Sequence, residues 1–152
     1  MREEQVTKCI LQWLMNNQWK IVCFDFPQSG TGHFHHPNGS TEKNKDTINP
    51  DIVAVNGTDC LFFENKDRFY FQDYEKVNRL IVDNQYTDDI GVLLSQYTVT
   101  SFYYGIGLPT IKHDKRSIEA SNLVDFIVGV NENKSISVLY TANKIIEDLF
   151  SK

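Results

Sequence analysis

The stretch that most constrains this chain is Asp51–Val55 followed by Cys60–Glu64. Both runs are short, apolar and rich in β-branched or aromatic residues, so each reads as a strand. Asn56-Gly57-Thr58-Asp59 lies between them and predicts a tight hairpin. Leu61-Phe62-Phe63 shows no polar alternation, which predicts a strand buried on both faces. Helical patterns flank the hairpin on both sides. Residues 3–18 put Val6, Ile10, Trp13 and Leu14 on one face, and residues 69–83 do the same with Tyr70, Tyr74, Val77 and Ile81. Lys20–Phe26, Ile90–Ser95, Ser101–Gly105, Leu123–Val130 and Ile136–Tyr140 read as further strands, and residues 143–150 as a short helix. The polar segment 27–50 is too long for an ordinary connection. The expectation is one domain spanning 1–152, of α/β or α+β type, with a mixed sheet flanked by helices.

Composition narrows the function classes. At 41% hydrophobic residues the chain has ample material for a core. No apolar run approaches the roughly 20 residues of a membrane span. The start Met1-Arg2-Glu3-Glu4-Gln5 does not read as a secretory signal. Cys9, Cys23 and Cys60 lie among apolar neighbours without a C-x-x-C pair, which suits reduced thiols and a cytoplasmic location. The net charge of -5 excludes a generally basic nucleic-acid coat, so a polyanionic partner would need a local basic surface.

The chemistry-bearing residues sit on the hairpin. Asp51 opens its first strand, Glu64 closes the second thirteen positions later, and Lys66 follows two residues on. Alternation points Glu64 and Lys66 to one side and Asn65 to the other. A tight hairpin brings Asp51 beside Glu64. Carboxylates are hard oxygen ligands for Mg²⁺. A metal held there polarises a phosphate and acidifies a bound water, while a neighbouring lysine orients that water and steadies negative charge. Asp51 and Glu64 are the expected metal ligands, with the Phe63 carbonyl or the Asn65 backbone as further donors. Lys66 is expected to position or activate the nucleophile.

Pro50-Asp51, a gap, then Glu64-Asn65-Lys66 resembles the motif of the PD-(D/E)XK nuclease superfamily, which includes type II restriction enzymes and archaeal Holliday-junction resolvases. The resemblance implies a restriction endonuclease-like αβββαβ core over about residues 3–95, with a strand-rich C-terminal extension over 96–152. It implies an endodeoxyribonuclease that uses Mg²⁺, with Mn²⁺ able to substitute. Family members often add a first-helix glutamate to the metal site. Glu3 is preferred over Glu4, since at 100° per residue it lies about 20° from Ile10. Ser29-Gly30 is similar to the Ser-Gly that precedes the motif in resolvases, with an insertion before Asp51, and gives Ser29 a candidate DNA contact. A restriction enzyme with one site per chain would act as a homodimer on a palindromic duplex. The alternatives are a structure-specific junction nuclease and a catalytic subunit that needs a DNA-recognition partner. Loss of at least one motif residue would be expected of a non-catalytic scaffold.

Three basic regions are candidates for DNA contact. Arg68, Gln72, Lys76 and Arg79 form the polar stripe of the second helix. Lys43 and Lys45 share the 27–50 segment with His33, His35 and His36, read as a loop approaching DNA rather than a zinc site. Lys112, Lys115 and Arg116 form a second basic loop. Asn38, Asn44, Lys112 and Arg116 have chemistry suited to base edges. Phe102-Tyr103-Tyr104 reads as core and interface rather than as a base-stacking platform.

Overall fold

The computed structural model describes residues 1–24, 50–83 and 88–151. In chain order they form α1 (Glu3–Asn16), β1 (Lys20–Phe24), β2 (Ile52–Asn56), β3 (Asp59–Asn65), α2 (Phe71–Asp83) and α3 (Asp88–Leu94). Then follow β4 (Ser101–Pro109), α4 (Lys115–Glu119), β5 (Phe126–Val130), β6 (Ile136–Thr141) and α5 (Lys144–Phe150). The expected hairpin is β2–β3. Ile52 pairs with Phe63, Val53 with Phe62 and Asn56 with Asp59. Gly57, the first of the two loop residues, has φ +63°, the sign a tight hairpin turn needs there.

Among the described residues the strands form one sheet in the order β1-β2-β3-β4-β5-β6. The β3–β4 and β4–β5 pairs are parallel and the others antiparallel, so the sheet is mixed. Alternation along the strands feeds two cores. Val53, Phe62, Tyr104 and Ile127 pack with α2 and α3 through Tyr74, Val77, Leu80, Ile90 and Leu94. Ile52, Leu61, Phe63 and Phe126 pack on the other face with α1 and α5 through Val6, Ile10, Leu14 and Ile146. Phe62 and Phe63 are both buried, as a strand covered on two sides requires. No helix among the described residues is long and apolar enough to cross a membrane.

Several boundaries differ from expectation. Ile90–Ser95 is not a strand, because most of it lies in α3. Ile90 and Leu94 are buried one turn apart while Val92 is 68% exposed, whereas a strand would have put all three on one face. The fourth strand is therefore β4, and the sheet does not stop near residue 95. β4 lies between β3 and β5, so the expected extension supplies interior strands rather than an appendage. α1 ends at Asn16, where Gln18 takes φ 73° and turns the chain into β1. α2 starts at Phe71, leaving Tyr70 ahead of the helix and 40% exposed. Its buried stripe is Asp73, Tyr74, Val77 and Leu80. The basic segment 112–116 is not a plain loop. A 3₁₀ turn covers Thr110–Lys112, and Asp114 caps α4 by accepting from the Arg116 and Ser117 amides. β5 begins at Phe126, after a 3₁₀ turn over Ser121–Leu123.

Gly107 of β4 lies close against α1 and β3. A Cβ there would collide with the Asn65 side-chain oxygen and the Ile10 methyl. Gly107→Ala is therefore expected to destabilise the fold by about 1–3 kcal/mol through overpacking. A urea titration checks it, and a midpoint unchanged from wild type contradicts it.

Candidate active site

The hairpin register carries the site. The β2–β3 ladder ends at the Ile52–Phe63 pair; Asp51 lies one residue beyond, its N–H donating to the Phe63 carbonyl at 2.8 Å and its carboxyl near enough to Glu64 for the two charges to act on each other. The Asn65 N–H donates to Asp51 Oδ2 at 2.7 Å, locking that carboxylate to the end of β3. The Asn65 side chain points to the opposite face, where its amide donates to Thr7 Oγ1 of α1 at 3.0 Å. The next N–H, of Lys66, donates to the Gly107 carbonyl at 2.9 Å. The site thus lies where the parallel strands β3 and β4 deliver their carboxyl-terminal ends, a recurrent location for ligand sites in α/β sheets.

Both helix layers reach this edge. Lys66 Nζ lies 3.6 Å from Glu3 Oε1 on α1 and 3.9 Å from Asp73 Oδ1 on α2. It also sits 5.9 Å from the centre of the Tyr70 ring. Glu4 turns away and pairs with Lys8 at 3.5 Å. Glu3 thus turns toward this edge and Glu4 away from it, as the helical wheel places them. Asp51, Glu64 and Asp73 are all buried. Asp73 went unnoticed in the sequence. The signal that could have found it is the stripe Asp73-Tyr74-Val77-Leu80, which puts an acid on the core face of α2 once the helix is started at Phe71.

The electrostatics follow from crowding acids in a dry place. Burial, and then the facing Glu64, push the Asp51 carboxyl well above its usual range, and the Asn65 N–H only partly offsets them. Burial lifts Glu64 to about 7, with Lys66 opposing the rise and Asp73 adding to it. Burial also raises Glu3 and Asp73. Burial pulls the Lys66 ammonium down, but Glu64, Asp73, Glu3 and Asp51 outweigh it and hold the group above its ordinary value. The resulting cluster is short of positive charge.

A divalent cation fits that deficit. Two facing carboxylates whose burial and mutual repulsion favour protonation are a donor set that a hard cation relieves. No three His, Cys, Asp or Glu groups among the described residues stand as a ready metal cage. Mg²⁺ does not need one, since it commonly takes one or two carboxylates and keeps several waters.

The DNA-contact candidates divide. Gln72, Lys76 and Arg79 line one groove of about 410 Å³ with Phe71 and Asn78. Lys76 is close enough to the acids to act on both Glu64 and Asp73. Phe71 also borders a second groove of about 400 Å³, lined by Phe69, Arg116 and Asn122. The Arg116 guanidinium stacks 5.2 Å from the Phe69 ring centre and bonds Asp114 at 2.9 Å. Arg68 is exposed and pairs with Asp67 at 3.1 Å. Lys112 and Lys115 are exposed and line neither groove. Ser29, Asn38, Lys43, Asn44, Lys45 and the three nearby histidines lie outside the described residues. Tyr104 is buried in the core, as expected, with Phe102 packed against it. No protein-family model, curated protein or solved structure matches the chain.

Proposed function

We propose that this chain is a Mg²⁺-dependent endodeoxyribonuclease, of the type that cuts a short duplex site as a homodimer in the cytoplasm. The observation that carries the reading is Asp51 facing Glu64 across a buried hairpin, with Lys66 two residues beyond and gripped by further acids. A structural role explains these groups poorly, because two neighbouring buried carboxylates with one half-buried lysine between several acids cost stability.

Asp51 and Glu64 would hold the cation, with Glu3 beside them. When bound, it supplies Lewis-acid polarisation of the phosphate and an acidified water, and Mn²⁺ can take its place. The residues do the rest. The Asn65 N–H fixes one Asp51 oxygen and so orients the carboxylate. Lys66 offers an ammonium at the end of β3 that holds the attacking water and steadies negative charge on the phosphate. Gln72, Lys76 and Arg79 extend from the acids along α2 and offer phosphate contacts. A local stripe of this kind suffices despite the net charge of -5.

The test is incubation of the pure protein with supercoiled plasmid in Mg²⁺, in Mn²⁺ and in EDTA. Discrete linear fragments with either metal, and intact plasmid in EDTA, are the expected result. Undiminished cutting in EDTA overturns the metal. No cutting of plasmid or of branched duplexes, at any protein concentration, overturns the nuclease.

A further inference from the structure

Asp73 is buried on the core face of α2, beside Tyr74, Val77 and Leu80. Its Oδ2 is buried with no hydrogen-bond partner. A buried carboxylate oxygen left unbonded costs stability. Its place in the first turn of α2 brings a helix-dipole benefit, but that is small and serves an exposed acid equally well. Neither capping nor packing accounts for an acid there. Asp73 Oδ1 lies 3.9 Å from Lys66 Nζ, and Lys76, one turn along α2, also acts on it electrostatically. Glu3 approaches the same ammonium from α1, which packs on the opposite face of the sheet.

We infer that Asp73 is a positioning residue: with Glu3 it clamps the Lys66 ammonium between the two helix layers and holds it at the end of β3. Lys66 lies beyond the last ladder residue of β3 and is half-buried, so the strand alone does not fix its long side chain. Four rotatable bonds leave the ammonium many positions, and a misplacement of about 1 Å at a reacting centre can cost a hundredfold in rate. Two carboxylates on separately packed helices restrict it in a way one partner cannot.

This inference rests on the nuclease reading for its catalytic consequence, but the clamp itself can be measured without activity. In the full-length chain, Asp73→Asn removes the charge at nearly constant shape. The expected result is that an amine-reactive reagent labels Lys66 about tenfold faster than in wild type, read by mass spectrometry against the exposed Lys8 and Lys144 as internal standards. In plasmid cleavage the same variant is expected to lose about tenfold or more in kcat, with KM within about twofold. An unchanged Lys66 labelling rate overturns the inference whether or not the protein cuts DNA. Faster labelling with unchanged kcat overturns the positioning role. Faster Lys66 labelling and a kcat loss that come with a lowered melting temperature mark general unfolding and also overturn it. A wild-type protein that cuts nothing, yet whose Lys66 is shielded by Asp73, sinks the nuclease and leaves the clamp standing.

Discussion

Asp51→Asn is expected to leave a folded protein whose Mg²⁺-dependent cleavage has fallen by about a thousandfold or more. The substitution is almost isosteric. Its side-chain oxygen still accepts the Asn65 N–H that Asp51 Oδ2 accepts at 2.7 Å, so the end of the hairpin keeps its shape. What disappears is one of two facing negative charges, and with it half of the carboxylate pair available to a cation. Glu64→Gln should fall as far, since the two acids act as a unit. Lys66→Met should fall comparably by another route, losing the ammonium while the carboxylates remain. DNA affinity, measured in Ca²⁺ by gel shift, should stay within a few fold in all three. Cleavage by Asp51→Asn within threefold of wild type would falsify the proposed roles.

The second large effect is on stability, with the opposite sign. Glu64 is lifted from its ordinary value of 4.5 to about 7, and Asp51 is raised as well. Between those values the folded chain holds a proton that the unfolded chain releases, so stability falls as pH rises. The contribution from Glu64 is fully present below about pH 4.5 and gone above about pH 7. It amounts to roughly 3 kcal/mol across that window. Metal-free protein is therefore expected to melt several degrees lower at pH 8 than at pH 5.5. Glu64→Gln should flatten this slope and melt above wild type at pH 8. Mg²⁺ should recover part of the loss in wild type and little in the variant, because it stabilises only what it binds. Calorimetry at both pH values, with Mg²⁺ and with EDTA, measures all three comparisons. A wild-type protein more stable than Glu64→Gln at pH 8 without metal would show that the acids are not in conflict.

Much of this site was legible before any coordinates, because its geometry is local. Asp51 and Glu64 belong to one hairpin whose loop is marked by Gly57, and strict two-residue alternation fixes which residues face each other. Glu3 was legible because a helical wheel is also local. Asp73 was not. Starting α2 at residue 69 gave a stripe through Tyr70, and the acid then fell outside it. β4 was recognised as a strand but assigned to an extension. Its partner is β3, in parallel and across two helices, and no local signal specifies a register over that distance. Ile90–Ser95 failed for another reason. A run that short carries apolar character without enough length to carry a period.

The two-layer grip on Lys66 has a consequence for how the protein comes into being. The site needs residue 3 on one side of the sheet, residue 73 on the other, and the carbonyl of Gly107 under the Lys66 N–H. Pairing β3 with β4 closes a loop from Asn65 to Ser101, an entropic cost met before the strand contacts reward it. Until that closure the Lys66 N–H has no Gly107 carbonyl to donate to, and β3 lacks its partner on the β4 side. A nascent chain still lacking β4 carries Asp51, Glu64 and Lys66 but not the strand that pairs with β3. The proposed activity would therefore require the finished sheet and not the hairpin alone.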